Sequence, residues 1–354
     1  MFDDPERMTI DELDTPSVLI DLDIMEHNIT EMQSRCDGLG VAFRPHVKTH
    51  KIPEIARMQL DAGAVGIAAQ KVTEAEVFAA DGIDNILIPY NIVGPRKTAR
   101  LLDLAIYNRV TVSADSEATV RGLSEATAPK GMPLRVMVEL ESDQKRAGAS
   151  VERAITLAQK IEADEHLFFA GLLIYPSMPS IRPLLQEVLT RLDGHGIGVD
   201  VVSGGGIGAA MHMAEVPEIS EIRVGTYVFN DWRTVADGNA GFADCAMMVR
   251  CTVVSKPDEG RVILDGGSKT FSSETLNDLY GYIVEYPDAR LYRLNEEHGY
   301  VDVSACDARP NVGDIVHVIP VHACVVTNLH NMIFGHREGV VEKEWPVAAR
   351  GCVW

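Results

Sequence analysis

A regular alternation of strand-like and helix-like segments, from about residue 16 to residue 230, constrains the fold of this chain more than any other feature. Eight short segments rich in Val, Ile and Leu have the length of buried strands, and amphipathic or alanine-rich segments separate them. The predicted strands are 41–48, 66–69, 85–89, 110–114, 134–140, 169–175, 199–203 and 221–229. The predicted helices are 51–62, 71–80, 95–106, 117–126, 150–163 and 182–194. This order predicts an α/β fold of the (β/α)8 TIM-barrel type rather than an open doubly wound sheet.

Beyond about residue 240 the helical periodicity fades, and short β-rich segments separated by turn signals take its place. The predicted strands here are 246–255, 261–264, 281–284, 289–294, 300–303 and 315–319. We therefore predict a barrel domain at 16–238 and a C-terminal all-β domain at 239–354. Residues 1–15 are predicted to belong to the C-terminal domain. Within the barrel segment, a strand at 17–21 and a helix at 24–38 would lead into the first barrel strand.

Charge and cysteine usage exclude several classes of protein. The net charge is −20, from 32 basic and 52 acidic residues, which argues against binding nucleic acid or an anionic membrane surface. No apolar segment is long enough to span a bilayer, and the acidic N-terminal residues do not form a signal peptide. The six cysteines form no CxxC pair, which is typical of reduced thiols in a cytoplasmic protein.

The segment Arg44-Pro45-His46-Val47-Lys48-Thr49-His50-Lys51 carries the clearest chemical signal. Lys48 lies at or just past the C-terminal end of the first predicted barrel strand, and barrel enzymes build their active sites at that end. A partly desolvated lysine with cationic neighbours can react as a free amine and form a Schiff base. From these residues alone, a solvated basic loop over a phosphate group or nucleic acid remains an alternative.

Three further groups of barrel residues are candidates for ligand binding. Ser203, Gly204, Gly205 and Gly206 follow the seventh predicted strand and open a helix, so their N–H groups would face an anion. Tyr227 lies near the end of the eighth predicted strand and could complete the same cradle. The alternative for the glycine segment is a tight strand-to-helix turn that binds no ligand. Arg146 and Tyr175 follow the fifth and sixth strands; the alternatives are a solvated arginine and a tyrosine that plugs the barrel rim.

His322 and Cys324 form a candidate metal pair in the C-terminal domain. Flanking β-like sequence predicts a strand, in which residues two apart point to the same face. An imidazole and a thiolate on one face would bind zinc or manganese, with zinc favoured by the soft thiolate. The alternative is a buried histidine and cysteine brought together by chance.

Taken in order, these motifs resemble the D-threonine aldolase and D-serine dehydratase family, which has the fold type III, alanine-racemase-like architecture. The segment 44–51 resembles the family's pyridoxal-phosphate lysine motif, and the resemblance runs through nearly the whole chain. The other matching segments are 13–16, 70–76, 203–206, 227–231, 265–269, 296–299, 320–324 and 345–351.

The resemblance implies a role for each candidate residue. Lys48 would form the Schiff base with pyridoxal 5′-phosphate, and His298 would take a catalytic role. Phosphate contacts would come from Ser203, Gly204, Gly205, Gly206 and Tyr227, and other cofactor contacts from Gln70, Arg146 and Tyr175. His322 and Cys324 would bind Mn²⁺ or Zn²⁺, which would hold the substrate's β-hydroxyl as Lewis acid and template.

The resemblance further implies a cytoplasmic homodimer acting on D-3-hydroxy amino acids. We expect a D-threonine aldolase-like lyase that produces glycine and an aldehyde; the alternative is a D-serine or 3-hydroxy-D-aspartate dehydratase that produces a 2-oxo acid. Aldolases of the family usually have His-x-Asp at the metal pair, and the dehydratases have His-x-Cys, as here. The segment 344–351, in contrast, is closer to the aldolase branch. Two further alternatives are an amino-acid racemase and a non-catalytic pyridoxal-phosphate-binding protein.

Overall fold

The computed structural model describes residues 8–354. The prediction that residues 1–7 belong to the C-terminal domain lies outside the described residues. The chain forms two compact units. The barrel unit comprises Glu31–Lys48, Pro53–Gly225 and Cys352–Trp354, and the β unit comprises the chain up to Thr30, Thr49–Ile52 and Thr226–Gly351. The first strand, β1 (Ser17–Asp21), belongs to the β unit, and the first helix, α1 (Leu22–Leu39), is divided between the two.

The barrel unit contains eight parallel strands, each paired with its neighbour in chain order. They are β2 (Ala42–Phe43), β3 (Ile67–Ala68), β4 (Asn85–Asn91), β5 (Arg109–Ala114), β6 (Leu134–Leu140), β7 (Leu167–Ile174), β8 (Val202–Gly205) and β9 (Glu221–Arg223). β2 pairs with β9, and a parallel bridge between His46 and Ala68 closes the ring next to β3. The predicted (β/α)8 barrel is therefore confirmed.

Helices connect the barrel strands and begin where local signals predict. They are α2 (Pro53–Asp61), α3 (Val72–Ala80), α4 (Pro95–Tyr107), α5 (Glu117–Thr127), α6 (Val151–Glu162), α7 (Arg182–Gly194) and α8 (Ile207–Met211). Proline occupies the first turn of α4, and the Ser116 hydroxyl accepts a hydrogen bond from the Thr119 N–H at the start of α5 (3.3 Å). An apolar cluster of Leu87, Met137, Ala170 and Leu173 is part of the barrel core.

The β unit is built on a nine-stranded sheet. Besides β1 it contains β10 (Met247–Asp258), β11 (Arg261–Leu264), β12 (Gly281–Ile283), β13 (Arg290–Leu294), β14 (Gly299–Asp302), β15 (Ile315–Pro320), β16 (Met332–Arg337) and β17 (Val340–Pro346). The strand order is β13-β14-β11-β10-β1-β16-β17, and β15 pairs with both β10 and β12. The unit also contains α9 (Trp232–Ala236), α10 (Ser268–Phe271) and α11 (Ala323–Leu329).

The unit boundaries differ from the predicted limits of 16–238 and 239–354. β1 belongs to the large sheet, where it pairs antiparallel with β10 and parallel with β16. Its side chains Val18, Leu19 and Ile20 are buried, and this continuous apolar segment gave no sign of which sheet it joins. Residues 226–238, predicted within the barrel, also belong to the β unit. Within residues 8–354, no helix has both the length and the apolar character that crossing a membrane requires.

Gly171 provides a test of the barrel packing. It lies in β7 with φ +119°, where the register with β6 shifts, and an added Cβ would overlap the Val201 carbonyl oxygen. That oxygen accepts the Leu172 N–H (2.9 Å). We expect Gly171→Ala to lower the free energy of unfolding by about 2–4 kcal/mol, measured by denaturant unfolding.

Gly194→Ala is the matched control, because no atom lies within 4 Å of the added Cβ. We expect this control to change stability by less than about 0.5 kcal/mol. Equal stability of the two variants would contradict the packing described for β7.

Candidate active site

Lys48 lies in the turn that follows the His46–Ala68 bridge, at the C-terminal end of the barrel strands. Its neighbour Val47 is fully buried and donates its N–H to the Ala68 carbonyl (2.9 Å), which fixes the turn. The His46 imidazole lies beside it: Nδ1 accepts the Lys48 N–H (3.4 Å), and Nε2 lies 3.0 Å from Gln70 Oε1. The structure thus brings Lys48, His46 and Gln70 together in the barrel unit.

Gln70 is held from the other side by α3. Its N–H donates to Oε2 of Glu74 (2.6 Å), whose side chain is fully buried. Glu74 therefore fixes the end of β3, the strand that pairs with the Lys48 turn. Glu74 lies in one of the segments that resemble the family, 70–76, but the resemblance implied no role for it.

The glycine-rich turn after β8 has the form expected of a phosphate site. Gly206 has φ +110°, is the N-cap of α8, and donates its N–H to the Arg223 carbonyl (3.1 Å). The N–H groups of Ile207 and Gly208 begin the helix and have no partner inside it. A Cβ on Gly205 would lie 3.1 Å from both Arg223 and the Tyr175 ring. Position 205 is therefore too crowded for a side chain, and the free N–H groups at the start of α8 fit a phosphate group.

The Ser203 side chain lies inside the barrel, and its implied phosphate contact stays a prediction. Its side chain is fully buried, its hydroxyl donates to Glu221 Oε1 (2.6 Å), and it accepts a hydrogen bond from the Arg223 guanidinium (2.5 Å). The hydroxyl is therefore committed to the barrel interior. Of the glycines that follow, Gly205 donates its N–H to the Ser177 hydroxyl (3.0 Å), and Gly206 to the Arg223 carbonyl.

Arg146 and Tyr175 lie next to each other at this end of the barrel. The Arg146 guanidinium lies 4.7 Å from the centre of the Tyr175 ring, a distance typical of a cation–π contact. Ser142 fixes the tyrosine backbone by donating its hydroxyl to the Tyr175 carbonyl (2.7 Å). Arg146 is exposed and Tyr175 is half-buried, so both can contact a ligand that rests on the glycine-rich turn.

Glu139 and Arg223 form a buried charged pair in the barrel interior that no sequence motif singled out. Burial raises the pKa of Glu139, and the charges of Arg146 and Arg223 oppose that shift. Burial lowers the pKa of Arg223 to about 10, against the opposing effect of Glu221 and Glu139. Charged residues at alternate positions in otherwise apolar strands were the signal that could have identified them.

The metal pair lies in the β unit and not in a strand, which corrects the prediction. His322 is the N-cap of α11, and Cys324 is the second residue of that helix. The helix begins here because Asp231 Oδ2 accepts the Ala323 N–H (3.0 Å). The other carboxylate oxygen of Asp231 accepts the Thr234 N–H (2.9 Å) and caps α9.

Hydrogen bonds from neighbouring side chains hold the pair, including one between the Thr226 hydroxyl and the Cys324 sulfur (3.9 Å). His322 Nδ1 lies 2.8 Å from Glu274 Oε2, and the His322 and Cys324 side chains are hydrogen-bonded to each other. The Cys324 sulfur also lies 3.1 Å from the Thr49 hydroxyl. Burial lowers the pKa of His322, but the interactions with Cys324 and Glu274 outweigh it and raise this pKa to about 9.

The donor atoms of this pair fit a divalent cation with an incomplete protein shell. Within residues 8–354, no group of three or more His, Cys, Asp or Glu side chains could hold a metal. A thiolate and an imidazole suit zinc, and water or substrate would fill the other positions. The Glu274 carboxylate on Nδ1 would leave Nε2 to coordinate a metal, an arrangement common around metal-bound histidines.

His298 and Tyr227 lie in the β unit, outside the groups just described. His298 is exposed in the turn between β13 and β14, where its carbonyl accepts the Asn295 N–H (2.9 Å). Tyr227 is buried in a short 3-10 turn, Thr226–Val228. Their implied roles stay predictions.

A parallel barrel with a lysine at a strand end, followed by a β-rich unit, defines the alanine-racemase-like class of fold. The family "Alanine racemase, N-terminal domain" matches residues 20–231, and "Putative serine dehydratase domain" matches residues 246–336. The chain is 36% identical to D-threonine aldolase from Arthrobacter sp., over 96% of this chain and 93% of that protein.

Two solved structures are similar over both units. The D-threonine aldolase of Filomicrobium marinum superimposes with a TM-score of 0.92 at 30% identity, covering 98% of this chain and 99% of the other. A metal-free cysteine-to-alanine mutant of D-threo-3-hydroxyaspartate dehydratase superimposes with a TM-score of 0.87 at 26% identity. This match covers 98% of this chain and 100% of the other. The chain belongs to the fold type III, pyridoxal-phosphate-dependent family of lyases that includes D-threonine aldolase and D-serine dehydratase.

The cysteines offer a direct test of the metal pair. Cys36, Cys245, Cys251 and Cys306 are buried, and burial raises the pKa of each, so their thiolates are scarce at pH 8. We expect iodoacetamide to modify Cys324 in the metal-free protein, and Zn²⁺ or Mn²⁺ to protect it. Peptide mass spectrometry measures both, with half-buried Cys352 as the internal control. Equal labelling of Cys324 with and without metal would argue against coordination by its sulfur.

Glu274 should control metal affinity through His322. Replacing it by glutamine keeps the shape of the side chain but removes the charge that holds the imidazole, so we expect Glu274→Gln to weaken Mn²⁺ and Zn²⁺ binding about 10–100-fold. Competition titration against a chelating dye measures the dissociation constants directly.

A second carboxylate–histidine pair provides the matched control. Glu285 Oε1 lies 2.6 Å from His317 Nδ1 in the same unit, and His317 is not a proposed ligand. We expect Glu285→Gln to leave metal affinity within about twofold of the parent protein. Similar losses in both variants would mean that Glu274 acts through general stability and not through His322.

Proposed function

We propose that this protein is a D-threonine aldolase-like lyase that cleaves D-3-hydroxy amino acids to glycine and an aldehyde. The observation that carries the proposal is the 36% identity to D-threonine aldolase over 96% of the chain, which includes the segments that contain Lys48 and His322–Cys324. A barrel relative with a different second domain would not match over this length.

The barrel residues supply the proposed cofactor site. Lys48 would carry pyridoxal phosphate on its amine, and the N–H groups of Ile207 and Gly208, after the Gly206 turn, would receive the phosphate group. Arg146 and Tyr175 would bound the ring, with Gln70 beside the lysine. When bound, the cofactor supplies an electron sink for the bond that breaks at the substrate Cα.

The two candidate reactions differ in which proton a residue of this chain must move. Aldol cleavage requires a base that takes the proton of the substrate's β-hydroxyl. Dehydration requires a base, proposed to be the Lys48 amine, that takes the α-proton on the face where the lysine lies. A divalent cation on His322 and Cys324 would supply Lewis acidity at the β-hydroxyl in both cases.

D-serine or 3-hydroxy-D-aspartate dehydration is the second candidate, and Cys324 is the observation that favours it. The family pattern associates His-x-Cys with dehydratases, and D-threo-3-hydroxyaspartate dehydratase is 28% identical over 89% of this chain. We give the aldolase precedence because its similarity is higher and extends over more of the sequence.

We further propose a cytoplasmic homodimer with Mn²⁺ or Zn²⁺ as the native metal, in which the active site is completed at the dimer interface. The support is family analogy and the donor atoms of the pair. Light scattering of the purified holoenzyme tests the oligomeric state, and metal analysis of protein prepared without added metal tests the ion.

Product analysis separates the two reactions. With D-threonine, pyridoxal phosphate and Mn²⁺ or Zn²⁺, we expect glycine and acetaldehyde; 2-oxobutanoate and ammonia would instead establish the dehydratase. Lys48→Ala should lose visible cofactor absorbance and lower the rate on the order of 10³-fold or more. Lys97→Ala, at an exposed position on α4, should behave as the parent. Parent-rate turnover by Lys48→Ala would overturn every mechanism that uses this lysine.

A further inference from the structure

A small polar cavity lies at the end of the barrel opposite Lys48. Its volume is about 50 Å³, and residues at or near the N-terminal ends of several barrel strands surround it. They are Arg44, Asn85, Leu87, Arg109, Thr111, Arg135, Met137, Ala170, Val201 and Glu221. The cavity contains no residue of the proposed cofactor or metal sites, so it requires a separate explanation.

The cavity has an apolar floor and a cationic rim. Leu87, Met137 and Ala170 belong to the apolar barrel cluster and form the floor. Arg109 precedes Thr111 by two positions in β5, and Arg135 precedes Met137 by two in β6, so each arginine shares the inward face of its strand. Both arginine side chains therefore stand at the cavity mouth above apolar residues.

One of the three arginines is already neutralised. Arg44 Nε donates to Glu221 Oε2 (2.8 Å), and its Nη1 donates to the Asn85 amide oxygen (3.2 Å). Glu221 also accepts the Ser203 hydroxyl. Arg44 and Glu221 thus form a closed, hydrogen-bonded pair at the side of the cavity.

Arg109 and Arg135 have no equivalent partner. Within residues 8–354 neither guanidinium forms a salt bridge, and the buried Arg135 Nε has no hydrogen-bond partner. The Arg135 guanidinium rests on the Phe168 ring, 4.6 Å from its centre. Burial lowers the pKa of Arg135, the charge of Arg109 adds to this, and Asp200 opposes it. A net positive charge remains at the mouth of this cavity in a chain of net charge −20.

We propose that this cavity binds one small tetrahedral oxyanion, inorganic phosphate or sulfate, between the guanidinium groups of Arg109 and Arg135. A guanidinium presents its N–H donors in a planar fork that matches the oxygen spacing of such anions. A cavity of about 50 Å³ suits a single oxyanion and excludes a nucleotide. The bound anion would remove the repulsion between the two arginines and join β5 to β6 at their N-terminal ends. This site does not depend on the proposed reaction.

Calorimetric titration of the holoenzyme with inorganic phosphate tests the site, with ionic strength held constant by sodium chloride. We expect one phosphate per chain, competition by sulfate, and a rise in melting temperature with phosphate concentration. Arg109→Gln and Arg135→Gln should each weaken phosphate binding at least tenfold. Arg96→Gln removes an exposed arginine on α4, outside the cavity, and should leave binding unchanged.

Several results would overturn the proposal. The first is that the holoenzyme does not bind phosphate, and the second is that sulfate does not displace bound phosphate. The third is that the parent protein and Arg109→Gln bind phosphate with equal affinity. Loss of visible cofactor absorbance during the titration would assign the bound phosphate to the cofactor site instead. If Arg135→Gln does not fold, the exposed Arg109 decides the question, since its replacement disturbs no buried contact.

Discussion

A network of charged hydrogen bonds inside the barrel is the constraint on which the cofactor end depends. Arg44 binds Glu221, Glu221 binds Ser203, and Ser203 binds Arg223, whose Nη2 donates to the Ile174 carbonyl (3.2 Å). Buried charges are tolerated only when each has a partner, so these side chains fix how β2, β7, β8 and β9 meet. The Arg223 carbonyl then receives the Gly206 N–H and sets the start of α8. The glycine-rich turn is therefore positioned from inside the barrel.

The metal pair depends on a different kind of support. Asp231 accepts hydrogen bonds from the first turns of both α9 and α11 and thereby places His322 and Cys324. Glu274 then fixes the imidazole. Lys48 and Thr49 are consecutive in the sequence, and Thr49 is the residue whose hydroxyl meets Cys324. Carboxylates that touch no ligand thus determine the geometry of the residues that do.

The barrel could be predicted from sequence because its strands are short, apolar and separated by helices of ordinary length. The sheet to which β1 belongs could not be predicted from sequence, since Val18–Ile20 would be buried equally well in either sheet. The segment around His322 and Cys324 is apolar enough for a strand, and its helical form is decided by Asp231, 92 residues away in the chain. Glu274 and Glu139 escaped notice for the same reason: their partners are distant in sequence.

The resemblance predicted the function further than the residue patterns could, and the physical reason is that the fold does not select the reaction. In both proposed reactions, a lysine on the barrel would hold the cofactor and the His-x-Cys pair would hold the metal. What separates the two is which proton has a base within hydrogen-bond reach, the hydroxyl proton or the α-proton. Under the proposed function, the Lys48 amine would be the base for the α-proton in dehydration. Under the proposed function, the choice of reaction would therefore depend on whether a second base reaches the β-hydroxyl.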